Sequence, residues 1–330
     1  MHRCSEAAKA VEELEDVYVV HHWDCDGIAS AAIVFTRRES HGLRTRFEIP
    51  PIETYDRSVY RRLGIDARNT LVVLDYAVYP ESGVVFDHHR ADPVGEALIC
   101  NPVLSGADEM SYPSTTTVLQ RYVGTGRLDL VALGIVGDLG SRALRTEWRR
   151  IVEEGAEIAG VSVEELVRCA NILNTCYVML DSEIVSYARE VLIRNGIKGV
   201  IADGKLSGVV SDIEDELKSI VSSVSPELED SKVIMFRVRS RFSIVSKVGR
   251  ALAERYPNKI VVVVGHVEGK NIDRIYVRST STNLSKVLQH LKRAGVGKSV
   301  GGKDWVFSVL CASSQCEDEL PIVLKALREC

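Results

Sequence analysis

The chain has 330 residues, 45% of them hydrophobic and 26% charged, with a formal net charge of -5. That length accommodates two domains with cores of their own, and no apolar run approaches the span of a membrane. The acidic balance argues against a protein that coats duplex DNA through a broad basic face, while leaving room for a local groove that holds a few phosphates.

No charged-then-apolar leader opens the chain, so a cytoplasmic location is expected. The eight cysteines contain no C-x-x-C pair, so all are expected to be reduced thiols rather than zinc ligands or a disulfide framework. Residues 5–15 read as a short amphipathic helix and 17–20 as a strand. His21-His22-Trp23-Asp24-Cys25-Asp26-Gly27 follows as a turn, and 28–35 as an apolar helix. One aspartate in that turn would be a helix cap. Two, preceded by histidines and followed by a glycine that permits a tight turn, favour a metal site.

A strand is expected around 44–49, a helix around 54–63, and a strand at 70–74 that ends in Asp75. A carboxylate directly after four apolar strand residues is costly to bury unless it is paired or metal-bound. Val84-Val85-Phe86 is the end of another buried strand and delivers Asp87-His88-His89 beyond it. Asn101-Pro102 and Gly106 punctuate a loop running to a helix start at Ser114-Thr115-Thr116-Thr117. The helix 128–136 leads into Gly137-Asp138, where a negative charge is disfavoured by the helix dipole and needs something positive nearby. From 145 to about 195 the pattern is helical without evident chemistry. Residues 196–230 read as a connector that contains a helix at 213–221.

A second α/β unit follows: strand 233–239, helix 244–255, strands 259–266 and 273–279, helix 283–293, strand 305–312, helix 318–328. Strand alternation puts Arg237, Arg239 and Arg241 on one face if the strand reaches that far, which suits either phosphates or a solvated edge. Arg278-Ser279 ends a strand just before a helix start near Thr282, so a guanidinium, a hydroxyl and a helix N-terminus are expected to converge on an anion. Trp305 is either a base-stacking residue or, more commonly for a strand tryptophan, core. Gly295-Val296-Gly297-Lys298-Ser299 imitates the tail of a nucleotide P-loop, but the upstream glycine is missing and a helix precedes it, so it reads as a loop.

The first half therefore offers Asp24, Asp26, Asp75, Asp87, His88, His89 and Asp138 at strand or helix ends. Gathered without cations, such carboxylates would repel and be driven to protonate. Two divalent ions remove that problem and equip a site for in-line displacement at phosphorus. Oxygen-rich ligation with some imidazole suits Mn²⁺ or Mg²⁺.

His22-x-Asp24-x-Asp26-Gly27, Asp75, Asp87-His88-His89 and Gly137-Asp138 resemble, in order, the four motifs of the DHH phosphoesterase superfamily, and most closely its archaeal RecJ-like members. The superfamily includes RecJ-type exonucleases, oligoribonucleases that also act on adenosine bisphosphate, cyclic-dinucleotide phosphodiesterases and manganese-dependent pyrophosphatases. The resemblance implies a mainly parallel-sheet DHH domain (1–195), a helical connector (196–230) and a smaller α/β substrate-binding domain (231–330), with the active site in the cleft. It makes Asp24, Asp26, Asp75, His88 and Asp138 metal ligands, with Asp75 bridging two ions, Mn²⁺ first and Mg²⁺ second. His22 joins them, with His21 as its rival. Asp87 and His89 would support the site or meet the leaving group or phosphate.

In the second domain the resemblance assigns Arg278 and Ser279 to a substrate phosphate. The family's Gly-Gly-His turn reads Gly301-Gly302-Lys303 here, with lysine in the histidine's place. The implied activity is hydrolysis of a terminal phosphodiester of single-stranded DNA or RNA. Alternatives are an enzyme for short oligonucleotides, adenosine bisphosphate or cyclic dinucleotides, and a replication scaffold like the helicase cofactor that lost its metal residues. A replication or repair protein is a possible partner in any of these cases, and no membrane is implied.

Overall fold

Every residue of Leu71–Leu74 and Val84–Phe86 is buried, the pattern of strands covered on both faces. The computed structural model describes residues 3–52, 54–65, 71–270, 273–297, 299–312 and 315–329. Thr70, the expected start of a strand, and Lys298, in the loop that imitates a P-loop tail, lie outside them. The chain divides into two compact units, Met1–Val210 and Ser211–Cys330.

The first unit runs α1 (Cys4–Glu13), β1 (Asp16–His21), α2 (Cys25–Glu39), β2 (Arg44–Glu48), α3 (Ser58–Arg62), β3 (Leu71–Leu74), β4 (Val84–Phe86) and β5 (Leu98–Cys100). It continues with α4 (Thr115–Tyr122), α5 (Leu128–Leu139), α6 (Arg149–Ala159), α7 (Val163–Cys176) and α8 (Ser182–Ala202), and the boundary falls within α9 (Gly204–Ser223). The five strands form one parallel sheet in the order β2-β1-β3-β4-β5. The order reverses between β1 and β3. At such a switch point, loops leaving neighbouring strands part in opposite directions and open a crevice at the strands' carboxyl ends. The turn after β1 carries Asp24 and Asp26, and Asp75 follows β3 directly. Helices α2 and α5 are buried along most of their length, as the apolar sequences of both require.

The second unit continues with β6 (Leu228–Glu229), β7 (Val233–Ser240), α10 (Val245–Arg255), β8 (Ile260–Val267), β9 (Asp273–Arg278), α11 (Ser285–Ala294), β10 (Ser299–Lys303), β11 (Val306–Cys311) and α12 (Cys316–Arg328). They build a mixed sheet in the order β10-β11-β9-β8-β7-β6, in which β7 and β8 are parallel and the other pairs antiparallel. Among the described residues, no helix is long and apolar enough to cross a membrane. The architecture is α/β throughout, as the residue patterns indicate, and the parallel sheet lies in the first unit, as the resemblance implies.

Several local expectations need correction. Cys4 and Cys100 are not thiols but a disulfide that joins α1 to the end of β5 across 96 residues of chain. No local spacing announces such a pairing, because it is set by where α1 packs. Cys25, Cys169, Cys176, Cys311 and Cys316 are free and buried. In the expected connector, α8 runs on to Ala202 past a kink at Gly196, and α9 begins nine residues before the helix expected at 213. Strands β5 and β10 stand where the residue pattern announces none; both are short, and neither shows a long alternation. Trp305 is not core: it sits in the two-residue turn between β10 and β11 and is 47% exposed.

Candidate metal centre

Asp26 lies in the first turn of α2, fully buried, and its carboxylate faces the start of another helix. The backbone N–H groups of Thr115 and Thr116 donate to it at 2.6 and 3.2 Å, so α4 spends two of its unpaired N-terminal donors on one carboxylate. Ser114 caps that helix by accepting from the N–H of Thr117. Asp24 is the N-cap of α2 and accepts from the N–H of Gly27 at 3.1 Å, so the capping reading is true of it. Its second oxygen is 2.8 Å from His22 Nδ1. A Cβ on Gly27 would lie 2.4 Å from the His22 carbonyl oxygen, which is why only glycine lets the helix start so close to the strand end.

Asp75 takes the left-handed conformation, with φ 57°. For a residue with a Cβ this is uncommon and strained, although aspartate tolerates it better than most. It turns the buried carboxylate back across the strand ends, where Thr115 Oγ1 donates to it at 2.9 Å. The carboxylate meets His88 Nε2 at 3.5 Å, His89 Nδ1 at 3.6 Å and His22 Nδ1 at 3.9 Å. Asp138, in the last turn of α5, is 3.1 Å from His88 Nε2, which is the compensating group its position demanded.

Among the described residues, donor atoms fall into three sets, each within 4.8 Å: His22–Asp24–Asp75, Asp26–His88–Asp138 and Asp75–His88–His89. Asp75 and His88 tie the sets together. His88 Nδ1 faces the Tyr112 carbonyl at 3.2 Å, and only a protonated nitrogen satisfies a carbonyl, so a neutral ring carries its lone pair on Nε2. That Nε2 is buried, has no hydrogen-bond partner, and faces three carboxylates. A lone pair aimed at carboxylates is repulsive unless a proton or a cation lies between them. His22 Nδ1 is likewise buried and not aligned for a hydrogen bond despite its 2.8 Å approach to Asp24. These orphaned nitrogens among hard oxygen donors fit divalent cations.

The charges are correspondingly perturbed. Burial and then the Asp138 charge push the Asp26 carboxyl up to about 6. Burial, Asp26 and Asp24 raise Asp75 well above the usual carboxylate range. For His88, burial works downward, but Asp138 and Asp26 outweigh it and lift the imidazole to about 9. Asp24, despite burial, is held low by His22.

Asp87 is fully buried and set back from this group. It accepts from His89 Nδ1 at 2.9 Å and from the Tyr79 hydroxyl at 2.7 Å, and it stays below its ordinary value because those bonds outweigh burial. Asp87 thus orients the His89 ring, which is 45% exposed. His21 points elsewhere: it is buried, donates from Nδ1 to the His22 carbonyl at 2.7 Å, and presents Nε2 to Arg189 Nη1 at 3.3 Å.

No protein-family model and no curated protein matches this chain. Solved structures do. An exonuclease RecJ bound to manganese superposes with a TM-score of 0.67 at 17% identity, over 99% of this chain and 94% of that one. RecJ from Thermus thermophilus in complex with Mn²⁺ gives the same score and identity, over 99% of this chain and 55% of that one. The DHH domain of a protein assigned to a family of ribosomal proteins gives 0.61 at 15% identity, over 98% of this chain and 88% of that one. The chain has the RecJ-like DHH fold.

Within this DHH domain, sequence reasoning misses the residues that support the carboxylates. Thr115 and Thr116 are visible there only as a helix start. Asn101, which reads as a loop marker, donates to the Tyr79 hydroxyl at 2.7 Å and the His89 carbonyl at 2.8 Å. Asn174 on α7 accepts from Cys25 N–H and donates to the Gly137 carbonyl, joining the start of α2 to the end of α5. Nothing in the local sequence marks it.

In the C-terminal α/β domain the expected phosphate residues are differently disposed. Arg278 ends β9, and its register partner Val306 pairs in turn with Lys303, so the two cations stand on the same face of adjacent-but-one strands. Ser279 is buried, and its hydroxyl accepts from the N–H groups of Ser281 and Thr282, which makes a local turn. Helix α11 starts only at Ser285, so no helix N-terminus joins Arg278 and Ser279. Gly301 and Gly302 are exposed β10 residues, and a Cβ on Gly301 would meet nothing within 4 Å. Arg237 is bound to Glu227 and Glu317, and Arg241, one residue past β7, to Glu216; both are neutralised locally.

Proposed function

We propose that this chain is a metal-dependent phosphoesterase that hydrolyses terminal phosphodiester bonds of single-stranded nucleic acid. The observation that carries the reading is the pair of donor triads, His22–Asp24–Asp75 and Asp26–His88–Asp138, set side by side with buried, unpartnered imidazole nitrogens. When bound, two divalent cations, Mn²⁺ or Mg²⁺, supply charge neutralisation and activation of water for in-line displacement at phosphorus.

The chain's own residues do the rest. Asp75, facing both His22 and His88, would be the carboxylate that helps to hold a cation at either position. The N-terminus of α4 keeps Asp26 oriented and ionised against its neighbours. Asp87 and Tyr79 fix the His89 ring so that its exposed edge meets a phosphate oxygen or the leaving group. Arg278 and Lys303, on one face of the second sheet, grip a neighbouring phosphate, and the open space at Gly301 lets a backbone approach. Ser279 holds the turn that follows Arg278.

The test is a manganese-supplemented digestion of end-labelled DNA and RNA of several lengths, run beside Asp75→Ala. The reading expects stepwise removal of terminal nucleotides from long single strands, abolished in the variant. Hydrolysis confined to two-to-five-nucleotide substrates would instead make this a short-oligonucleotide enzyme. Equal activity in the variant would show that the chemistry lies elsewhere.

A further inference from the structure

Helix α4 has a second face. Thr117, Gln120 and Arg121, at spacing i, i+3 and i+4, line a cavity of about 470 Å³ together with Tyr112, Trp148 and Ile151. A cavity of that size lies within the usual range for small-ligand sites. It is tied to the metal centre by Tyr112, which lines it, and by α4 itself. The Tyr112 carbonyl is the group that fixes the His88 ring, and Thr115, two residues before Thr117, holds Asp75.

The lining is already oriented. Trp148 donates from Nε1 to the Met110 carbonyl at 2.8 Å, so its only polar group is satisfied and the indole offers a π face. Gln120 accepts at Oε1 from the Thr125 hydroxyl at 2.7 Å, which leaves its NH₂ to donate. Arg121 is exposed and carries no ion pair among the described residues. Aromatic faces, an amide donor and a free guanidinium form the set that proteins use to stack and hydrogen-bond an unpaired base.

We infer that this cavity is a nucleobase subsite, which takes the base of the nucleotide whose phosphate is held at the metal centre. The placement of the phosphate rests on the phosphoesterase reading; binding of the base does not. Stacking of the base on Trp148 and Tyr112 anchors the terminal nucleotide, and Gln120 supplies a hydrogen bond to a ring acceptor.

Two measurements test this. First, Trp305→Phe protein in chelator, which leaves Trp148 and the buried Trp23 as the only tryptophans, is titrated with adenosine 5′-monophosphate and with ribose 5-phosphate. Saturable fluorescence quenching by the nucleotide alone, weakened by Gln120→Ala and Tyr112→Ala, is expected. Equal response to both ligands, no saturation, or no weakening in either variant would overturn the proposal. Second, with manganese, Trp148→Ala should lower kcat/KM about 5- to 150-fold on a single strand with an intact terminal base, the range that loss of one stacking contact produces. It should leave a strand with an abasic terminus within twofold. Equal losses on both strands, or none on either, would refute the base contact. If the wild-type protein hydrolyses neither strand, the phosphoesterase reading falls, and the quenching titration still decides the cavity.

Discussion

Replacing Asp75 with asparagine separates two consequences of one carboxylate. Asparagine accepts the left-handed backbone at this position and keeps an oxygen for the Thr115 hydroxyl, so shape and hydrogen bonding survive while the charge goes. Asp24 and Asp75 place donor oxygens within 4.8 Å of each other. At an effective dielectric near 20, two such charges repel by about 3 kcal/mol. In chelator, Asp75→Asn should therefore raise stability by up to about 3 kcal/mol, which is roughly 6–12 °C in Tm for a unit of this size. With metal the order reverses. A unit charge 4 Å from a cation is worth about 4 kcal/mol on the same scale, so metal affinity should drop at least ~10³-fold. At a manganese concentration of about 100 times the wild-type Kd, the wild type gains about 2.7 kcal/mol and the variant less than about 0.1. Calorimetry with and without manganese at one pH reads both effects. A full manganese shift in the variant, or a loss of more than about 1 kcal/mol in chelator, would refute the account of Asp75 as a repelled carboxylate awaiting a cation.

Four further outcomes follow from single positions or bonds. In Gly134→Ala, a Cβ would sit 2.2 Å from Thr116 Oγ1 and 2.5 Å from Asp26 Oδ1, so overpacking by about 1–3 kcal/mol should outweigh the helix-propensity gain and shrink the manganese-induced Tm shift. Gly208→Ala, with open space around it, should gain up to about 1 kcal/mol instead. Reducing Cys4–Cys100, or replacing both with serine, should cost about 2–4 kcal/mol in thermal melts, and the loss under reductant should be absent from the double variant. Burial and the neighbouring Arg189 hold the His21 imidazole down at about 3, against 6.5 when unfolded. The unfolded chain then binds a proton that the folded one refuses, so stability present at neutral pH is lost as pH falls through 6.5 toward 3. In chelator, wild type should lose about 2 kcal/mol more than His21→Gln between pH 7 and pH 5 in urea denaturation; equal losses would show that His21 is charged in the folded protein.

Much of the centre is legible one residue at a time. A carboxylate straight after a buried strand, as at Asp75, or a carboxylate and two imidazoles after Val84–Phe86, is too costly to arise without a partner, and the residue types name the partner's chemistry. The alternation of apolar runs likewise specifies an α/β chain, because each run's period depends only on near neighbours. Tertiary structure alone decides what those residues meet. That β1 and β3 are neighbours, so that Asp24 and Asp75 share one crevice, follows from strand order. That Thr115, Asn101 and Asn174 serve the site, and that Cys4 reaches Cys100, depends on contacts between segments far apart in sequence. Such contacts are set by the packing of whole helices against the sheet, which no local pattern encodes. A hydrogen-bonding side chain at a helix start looks the same in sequence whether it caps its own helix or, like Thr115, also holds a carboxylate forty residues away.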